Sequence, residues 1–360
     1  MELNLITPLN QLGYGQVGIN LVKELNRLCN LAVFPIGDAR TLDSEARDAI
    51  VNGLTNAQMP NFYAPCIRIW HQHDMSQFVG TGPRIGFPIF ELDRFTKQEC
   101  HHLCNLDYIF VCSEWAKGVI LNNLNNYAYM VKPEKVFVVP LGVTDYNIRQ
   151  TESQSDKTKF FTCGKWEVRK GHDKLIEAFC RAFGPDDNVE LNMMCSNPFL
   201  SEEQTKEWEE KYVLSDMGHR VRFISRVPEQ RQVLEVMSSM DCGVFISRAE
   251  GWNLELLEMM SLGKQIIATN YSAHTEFCNS ENSHLIEIDE MEDAVDDMWF
   301  HGQGKWAKLG DSQVDQVAQK MREVHENRSS NLVNHKGIET GKAYSWEQSA
   351  KKVLEHVRSF

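Results

Sequence analysis

A chain of 360 residues is longer than one ordinary core sustains and fits two domains of about 150 to 200 residues each. Its formal charge of −13 speaks against a general nucleic-acid or membrane-surface binder, although a local basic cleft fits beneath an acidic exterior. The 42% hydrophobic content supports globular cores, and no stretch approaches the roughly 18 apolar residues of a membrane span.

Strand-like apolar runs are predicted at Leu3–Thr7, Leu31–Ile36, Ile67–Trp70, Arg84–Phe90, Tyr108–Ser113 and Lys135–Pro140, with helical patterns between most of them. They recur at Phe160–Cys163, Val189–Cys195, Val221–Ser225, Gly243–Ser247, Gln265–Thr269 and His284–Ile288. Strands that alternate with helices predict an α/β chain of two Rossmann-like, doubly wound parallel sheets. The polar run at 149–158 reads as a linker, which sets an N-terminal domain at 1–148, a C-terminal domain at 159–344 and a site facing the cleft across that hinge. The acidic stretch Ile288 to Asp297 reads as a solvated helix face. From Ser345 a helical stripe runs through Trp346, Ala350, Val353, Leu354 and Val357, opened by a serine cap.

The N-terminus lacks a basic start followed by a long apolar run, so it does not read as a leader. Ten cysteines are scattered, with Cys112, Cys163, Cys195 and Cys242 inside apolar strands and no Cys-x-x-Cys pair. They read as small core residues in a reducing compartment, and the expected location is the cytoplasm.

In the first half, Gly13-Tyr14-Gly15-Gln16-Val17-Gly18 follows a strand and opens a helix, with Asp38 at the end of the next strand, which is a dinucleotide fingerprint. Against it, the loop from Pro8 to Leu12 separates the strand from the first glycine, whereas that fingerprint turn is tight. His71-Gln72-His73-Asp74 and Glu91-Leu92-Asp93-Arg94 sit just beyond apolar strands, where doubly wound sheets place their ligands. Metal is the weaker reading of His71 and His73, because two histidines need a third ligand and no Asp-x-Asp occurs. A satisfied core residue is an equally open reading of His71.

The second half carries the stronger pattern. Phe160–Gly164 reads as a buried strand that leads into Lys165-Trp166-Glu167-Val168-Arg169-Lys170-Gly171, and then into a helix with Leu175, Ile176, Phe179 and Phe183. Three cations share that loop, and Lys165 and Lys170 suit a phosphate as mobile point charges, while Arg169 reads as a solvated turn residue. Gly243-Val244-Phe245-Ile246-Ser247 enters Glu250-Gly251-Trp252-Asn253-Leu254-Glu255-Leu256-Leu257-Glu258, two acids separated by seven residues. A strand that turns at once into a helix presents the amides of Gly251, Trp252, Asn253 and Leu254 as an anion site. With a diphosphate there, Glu250 reaches a polyhydroxyl group and Glu258 accepts from a vicinal diol, the parts of a sugar nucleotide. Glu255 reads as a first-turn acid that complements the macrodipole.

The loop Gly164, Lys165, Lys170, Gly171, the pair Glu250 and Glu258, the strand Gly263–Thr269, Val139–Val143 and Tyr344–Glu347 together resemble the GT-B glycosyltransferases. The likeness is specifically to the large retaining, family 4-like group that contains bacterial mannosyl- and glucosyltransferases and sucrose-phosphate synthases. Lys165 stands where that family usually has arginine. The resemblance implies that the helix at 345–360 packs back on the N-terminal domain. It also implies metal-independent transfer of a hexose with retention, from a UDP- or GDP-sugar and with no permanently bound cofactor. Glu250, Lys170 and Lys165 are then the catalytic candidates, with Glu91, His73 or His71 in the place of the family's N-terminal-domain residue. Gly15, Gly164, Lys165, Lys170, Gly251, Trp252, Asn253, Leu254 and Glu258 are the donor-binding candidates. The acceptor stays open among a glycan, a lipid-linked sugar, a metabolite and a modified DNA base, the last disfavoured by the acidic balance yet kept by Arg68, Arg84, Arg94 and Lys97. A nicotinamide oxidoreductase built on Gly13–Gly18 and an idle nucleotide-sugar-binding module are the rival readings.

Overall fold

The computed structural model describes residues 1–41, 43–127, 132–148, 156–296, 298–329 and 333–360. Residues 149–155 of the expected linker lie outside the described residues, as does Asp297. Two units emerge, one made of Met1–Thr144 with Tyr344–Phe360 and the other of Asp145–Ala343.

In the first unit the order is β1 (Glu2–Thr7), α1 (Gly13–Leu28), β2 (Asn30–Pro35), α2 (Ser44–Asn56), β3 (Cys66–Trp70), β4 (Arg84–Pro88), α3 (Lys97–Cys104), β5 (Tyr108–Val111), α4 (Glu114–Asn126) and β6 (Val136–Val138). The strands pair in parallel in the order β2-β1-β3-β4-β5-β6. Leu3, Leu5, Ile67, Ile69, Ile85 and Phe87 are buried, as expected of strands covered on both faces. Chain order reverses between β1 and β3, and a crevice opens at such a switch point beyond the strands' carboxyl ends.

The second unit runs β7 (Thr158–Gly164), α5 (His172–Ala182), β8 (Val189–Cys195), α6 (Glu202–Val213), β9 (Val221–Phe223), α7 (Gln230–Ser238), β10 (Cys242–Phe245), α8 (Leu254–Ser261), β11 (Gln265–Thr269), α9 (His274–Phe277) and β12 (His284–Ile286). Its parallel sheet has the order β12-β11-β10-β7-β8-β9, so the switch point falls between β7 and β10. Leu175, Ile176 and Phe179 of α5 pack with Phe160, Val189 and Leu191 in the core, each side chain contributing about 1.5–3 kcal/mol on burial. Phe183 is buried too, but as the residue that ends α5.

Beyond β12 the structure corrects the sequence. The acidic stretch is a strand, β13 (Met291–Val295), paired antiparallel with β14 (His301–Ala307). Ala294 and Trp306 turn inward against Ala249 and Val168, while Glu292 forms an ion pair with Arg248. An inward alanine among acids is too small an apolar signal to announce a strand. Helices α10 (Asp311–Glu326) and α11 (His335–Ala343) complete this unit, and α12 (Trp346–Arg358) packs against α1 in the first. Ser345 caps α12 by accepting from the Gln348 amide.

Candidate functional site

Gly164 and Gly171 bound the basic loop, and both adopt positive φ, 128° and 75°. At Gly171 a Cβ would lie 2.2 Å from the Ile246 carbonyl oxygen, so only glycine lets this loop close on the end of β10. That closure brings residues eighty positions apart into one charge chain. Lys165 Nζ lies 2.8 Å from Glu167 Oε1, Arg169 bridges Glu167 Oε2 at 2.8 Å and Glu250 Oε2 at 2.9 Å, and Lys170 Nζ lies 2.8 Å from Glu250 Oε1. Within this chain of contacts, at the switch point between β7 and β10, three cations face two carboxylates.

Arg169 is therefore not a solvated turn residue. It is 5% exposed and also donates to the Ala249 carbonyl at 2.8 Å, because loop closure places it between two buried acids. Glu250, 4% exposed, accepts from Lys170, Arg169 and the Ser247 hydroxyl at 2.7 Å. A carboxylate offers about four acceptor positions, so roughly one remains for a ligand while the other three take the two cations and the Ser247 hydroxyl. Burial alone would raise the Glu250 carboxyl, but Arg169 and Lys170 outweigh it and hold it far below the usual carboxylate range.

Asn253, in left-handed backbone with φ 84°, caps α8 by accepting from the Leu256 amide at 3.2 Å. Gly251, Trp252 and Asn253 are buried and Leu254 is half-buried at the first helical position, where an amide has no acceptor within its own helix. Nδ2 of the Asn253 side chain lies 2.9 Å from His274 Nε2, and His274 Nδ1 lies 3.0 Å from the Thr269 carbonyl. A carbonyl only accepts, so Nδ1 carries the proton and Nε2 accepts from Asn253. Burial pushes the His274 pKa down to about 4, and burial with the Lys170 charge pushes His172 down to about 3.

Both histidines are thus neutral in the fold and protonate first in the unfolded chain as pH falls below 6.5. The stability they leave intact above pH 6.5 is lost toward pH 4, at about 1.4 kcal/mol per pH unit for each. His274→Gln is expected to flatten that slope in urea denaturation between pH 7.5 and 4.5. An unchanged slope would refute the assignment.

Glu258, on α8, accepts from Gln230 Nε2 at 2.6 Å through Oε1, while its buried Oε2 has no partner. Burial, with the nearby Glu255 charge, raises its carboxyl well above the ordinary value. Glu255 itself sits in the first turn of α8. Lys165 reaches past Glu167 toward Phe199, 5.8 Å from the ring.

Four supporting residues escaped the sequence reading. Arg248 donates to Asp173 Oδ1 at 2.7 Å, to Glu292 and to the Val168 carbonyl, tying the basic loop, the start of α5 and the hairpin together. Ser272 Oγ accepts the Glu250 amide, and Gln230 and His274 steady α8 as described. Arg248 lies between the run Gly243–Ser247 and Glu250, both singled out in the sequence, but no local pattern marked its partners.

In the first unit, Gly15 and Gly18 have packing reasons of their own. A Cβ at Gly15 would lie 2.2 Å from the Asn10 carbonyl oxygen, and one at Gly18 would lie 2.1 Å from that of Pro8. Neither has positive φ, so the glycines let α1 lie close on the loop after β1. Gly15 thus faces Asn10 rather than open space. Gly13 meets nothing within 4 Å. His71 is half-buried, His73 is exposed and Glu91 is half-buried, all beyond β3 and β4. The His71 and His73 rings stack at 5.1 Å, and Tyr14 lies 4.5 Å from the His71 ring centroid. Arg68 is buried and bonded to Asp74, so it presents no charge to a nucleic-acid backbone. Among the described residues no group of three or more His, Cys, Asp or Glu is arranged to hold a metal, and no helix is long and apolar enough to cross a membrane.

No curated protein sequence matches the chain. Among solved structures, Anabaena HepE in complex with UDP-glucose is similar at TM-score 0.72 and 12% identity, covering 100% of both chains. Sucrose-phosphate synthase from Thermosynechococcus elongatus gives 0.71 and 14%, covering 100% of this chain and 98% of that one. The lipopolysaccharide outer core galactosyltransferase WaaB, in its apo form, gives 0.65 and 16%, covering 100% and 99%. Residues 157–299, which hold the basic loop, Glu250 and Glu258, match the family of glycosyl transferases group 1, and both units have the Rossmann-like architecture of the GT-B fold.

Proposed function

We propose that this protein is a retaining, metal-independent glycosyltransferase of the cytoplasm that moves a hexose from a UDP- or GDP-sugar to a hydroxyl-bearing acceptor. The observation that carries the reading is the unpartnered, buried Oε2 of Glu258 on the same short helix whose start adjoins the Lys170–Glu250 pair. A buried acceptor left empty costs stability, and a ribose diol is the group that would fill it. Lys170, Lys165 and the amides at the start of α8 would take up the negative charge that grows on the leaving diphosphate. The departing phosphate oxygen would then receive the acceptor's proton on the same face. Glu250 would give its last acceptor position to a sugar hydroxyl while keeping both cations in register.

A mass-spectrometric screen of UDP-, GDP- and ADP-sugars for hydrolysis tests the reaction, and calorimetric titration with UDP tests the site. Glu258→Gln leaves the Gln230 contact available but removes the carboxylate, and it is expected to weaken UDP binding about tenfold. Absence of UDP and GDP binding to the wild type, or equal affinity in Glu258→Gln, would overturn the placement of the nucleotide.

A further inference from the structure

Phe199, on the loop after β8, and Trp299, in the turn between β13 and β14, are each 51% exposed, and of the eight tryptophans Trp299 alone lies exposed. Aromatic surface left in water at two adjoining positions is the unusual observation, since large apolar side chains gain most from burial. The rings meet edge to face, with centroids 5.3 Å apart and planes at 81°, and so form a right-angled corner. Two fixed turns present it. Asp296 Oδ1 accepts the amides of Met298, Trp299 and Phe300 at 3.0, 2.7 and 2.8 Å, and Phe300 packs inward on Trp306, which leaves Trp299 facing outward. Asn197 Oδ1 accepts the Phe199 amide at 3.1 Å, and its Nδ2 donates to the Trp166 carbonyl of the basic loop at 3.0 Å. The hairpin is held to the same loop by Arg248, which pairs with Glu292 and donates to the Val168 carbonyl. Lys165, 5.8 Å from the Phe199 ring, borders the corner and belongs to the charge chain that ends at Glu250 and Lys170.

We propose that this corner is a sugar-binding subsite whose ligand is a pyranose ring of a neutral glycan, the acceptor of the transfer proposed above. The acceptor role rests on the glycosyltransferase reading, and the sugar binding does not. A pyranose carries a face of C–H bonds, which meets the negative face of an aromatic ring, and a rim of hydroxyls, for which the indole N–H supplies a donor. Its puckered ring fills a right angle. A flat nucleobase gains most between parallel faces, and rings at 81° cannot sandwich it. Charge narrows the choice further, because residues 289–308 carry six acids against two lysines, and both lysines pair with acids of the same segment. That surface repels a nucleic-acid backbone and an anionic membrane alike. Two side chains also fall far short of the roughly 1,000 Å² that a stable protein interface buries. A modified DNA base, with its phosphate backbone, is thereby the poorest of the acceptors that the sequence left open.

Fluorine NMR of the full chain labelled with 5-fluorotryptophan reads the site without turnover, the Trp299 signal being the one missing from Trp299→Phe. Maltotriose, mannotriose and N-acetylchitotriose are titrated to about 50 mM, alone and with UDP present. At least one of the three is expected to shift the Trp299 signal saturably, with a dissociation constant of about 1–10 mM that stays the same from low to high salt, because a neutral ligand makes no ion pair for salt to screen. Phe199→Ala should weaken that binding by about fivefold or more, and Lys206→Ala, on the exposed face of α6, should leave it as in the wild type. No shift from any of the three sugars overturns the proposal. So does a shift that survives intact in Phe199→Ala, or one that UDP produces by itself and competes for, which would assign the corner to the nucleobase. The wild-type titration alone can refute it, so misfolding of Phe199→Ala offers no shelter. Sugar binding without any binding of UDP or GDP would sink the glycosyltransferase reading and leave the subsite standing, and the reverse result would sink the subsite alone.

Discussion

Lys170→Ala is expected to slow sugar-nucleotide hydrolysis by about 10²–10³-fold while leaving the fold nearly as stable as the wild type. The two halves of that expectation come from different contacts. Lys170 is held beside α8 by Glu250 Oε1 at 2.8 Å, and burial, which alone would lower its pKa, is outweighed by Glu250 and Glu255, so its charge is permanent. In the proposed reaction, removing it would take away a fixed cation where leaving-group charge would develop, an interaction that would be strongest in the transition state. Glu250, by contrast, keeps Arg169 and Ser247, so the acid is not left uncompensated. Lys206→Ala, in an exposed pair with Glu210 on α6, serves as the control for loss of a lysine as such. Hydrolysis by Lys170→Ala within about threefold of wild type would remove Lys170 from the reaction. Lys170→Gln guards against a packing artefact, because it restores the bulk near Gly164 without the charge.

Apolar runs made the twelve parallel strands and the helices between them legible, because strands buried on both faces must be nearly all hydrophobic, as Gly243–Ser247 and Gln265–Thr269 are. Their ends were not, since a strand read from Arg84 to Phe90 stops pairing at Pro88. The basic loop and the two acids were legible as motifs, for glycines and charges at fixed spacing are local facts. Their partners were not. Arg169 pairs with Glu250 81 positions away, and Tyr14 with His71 57 away, and nothing local tells a buried arginine from a solvated one. The hairpin stayed hidden because its inward residues, Ala294 and Trp306, stand among acids and polar residues on strands with little other apolar pattern.

Arg169→Ala tests that difference between the chain as written and the chain as folded. A guanidinium in a solvated turn can be truncated within about 0.5 kcal/mol, whereas breaking a buried ion pair costs about 3–5 kcal/mol. Arg169 belongs to the second class on three counts. Its fork bonds Glu167 and Glu250 at 2.8 and 2.9 Å, its Nη1 also donates to the Ala249 carbonyl, and its own carbonyl accepts the Arg248 amide at 2.7 Å within the same closed loop. Truncation would leave Glu167 to half-exposed Lys165 and Glu250 to Lys170 and the Ser247 hydroxyl, with the Ala249 carbonyl losing its guanidinium donor. Urea denaturation followed by tryptophan fluorescence is expected to show the loss. Arg169→Lys should recover only part of it, because one ammonium cannot reproduce a planar fork between two acids. Activity is expected to fall with it, since the same side chain fixes the carboxylate that holds Lys170. Stability of Arg169→Ala within about 1 kcal/mol of wild type would mean that the charge chain is not closed in solution, and that Lys165 and Lys170 act as separate surface cations.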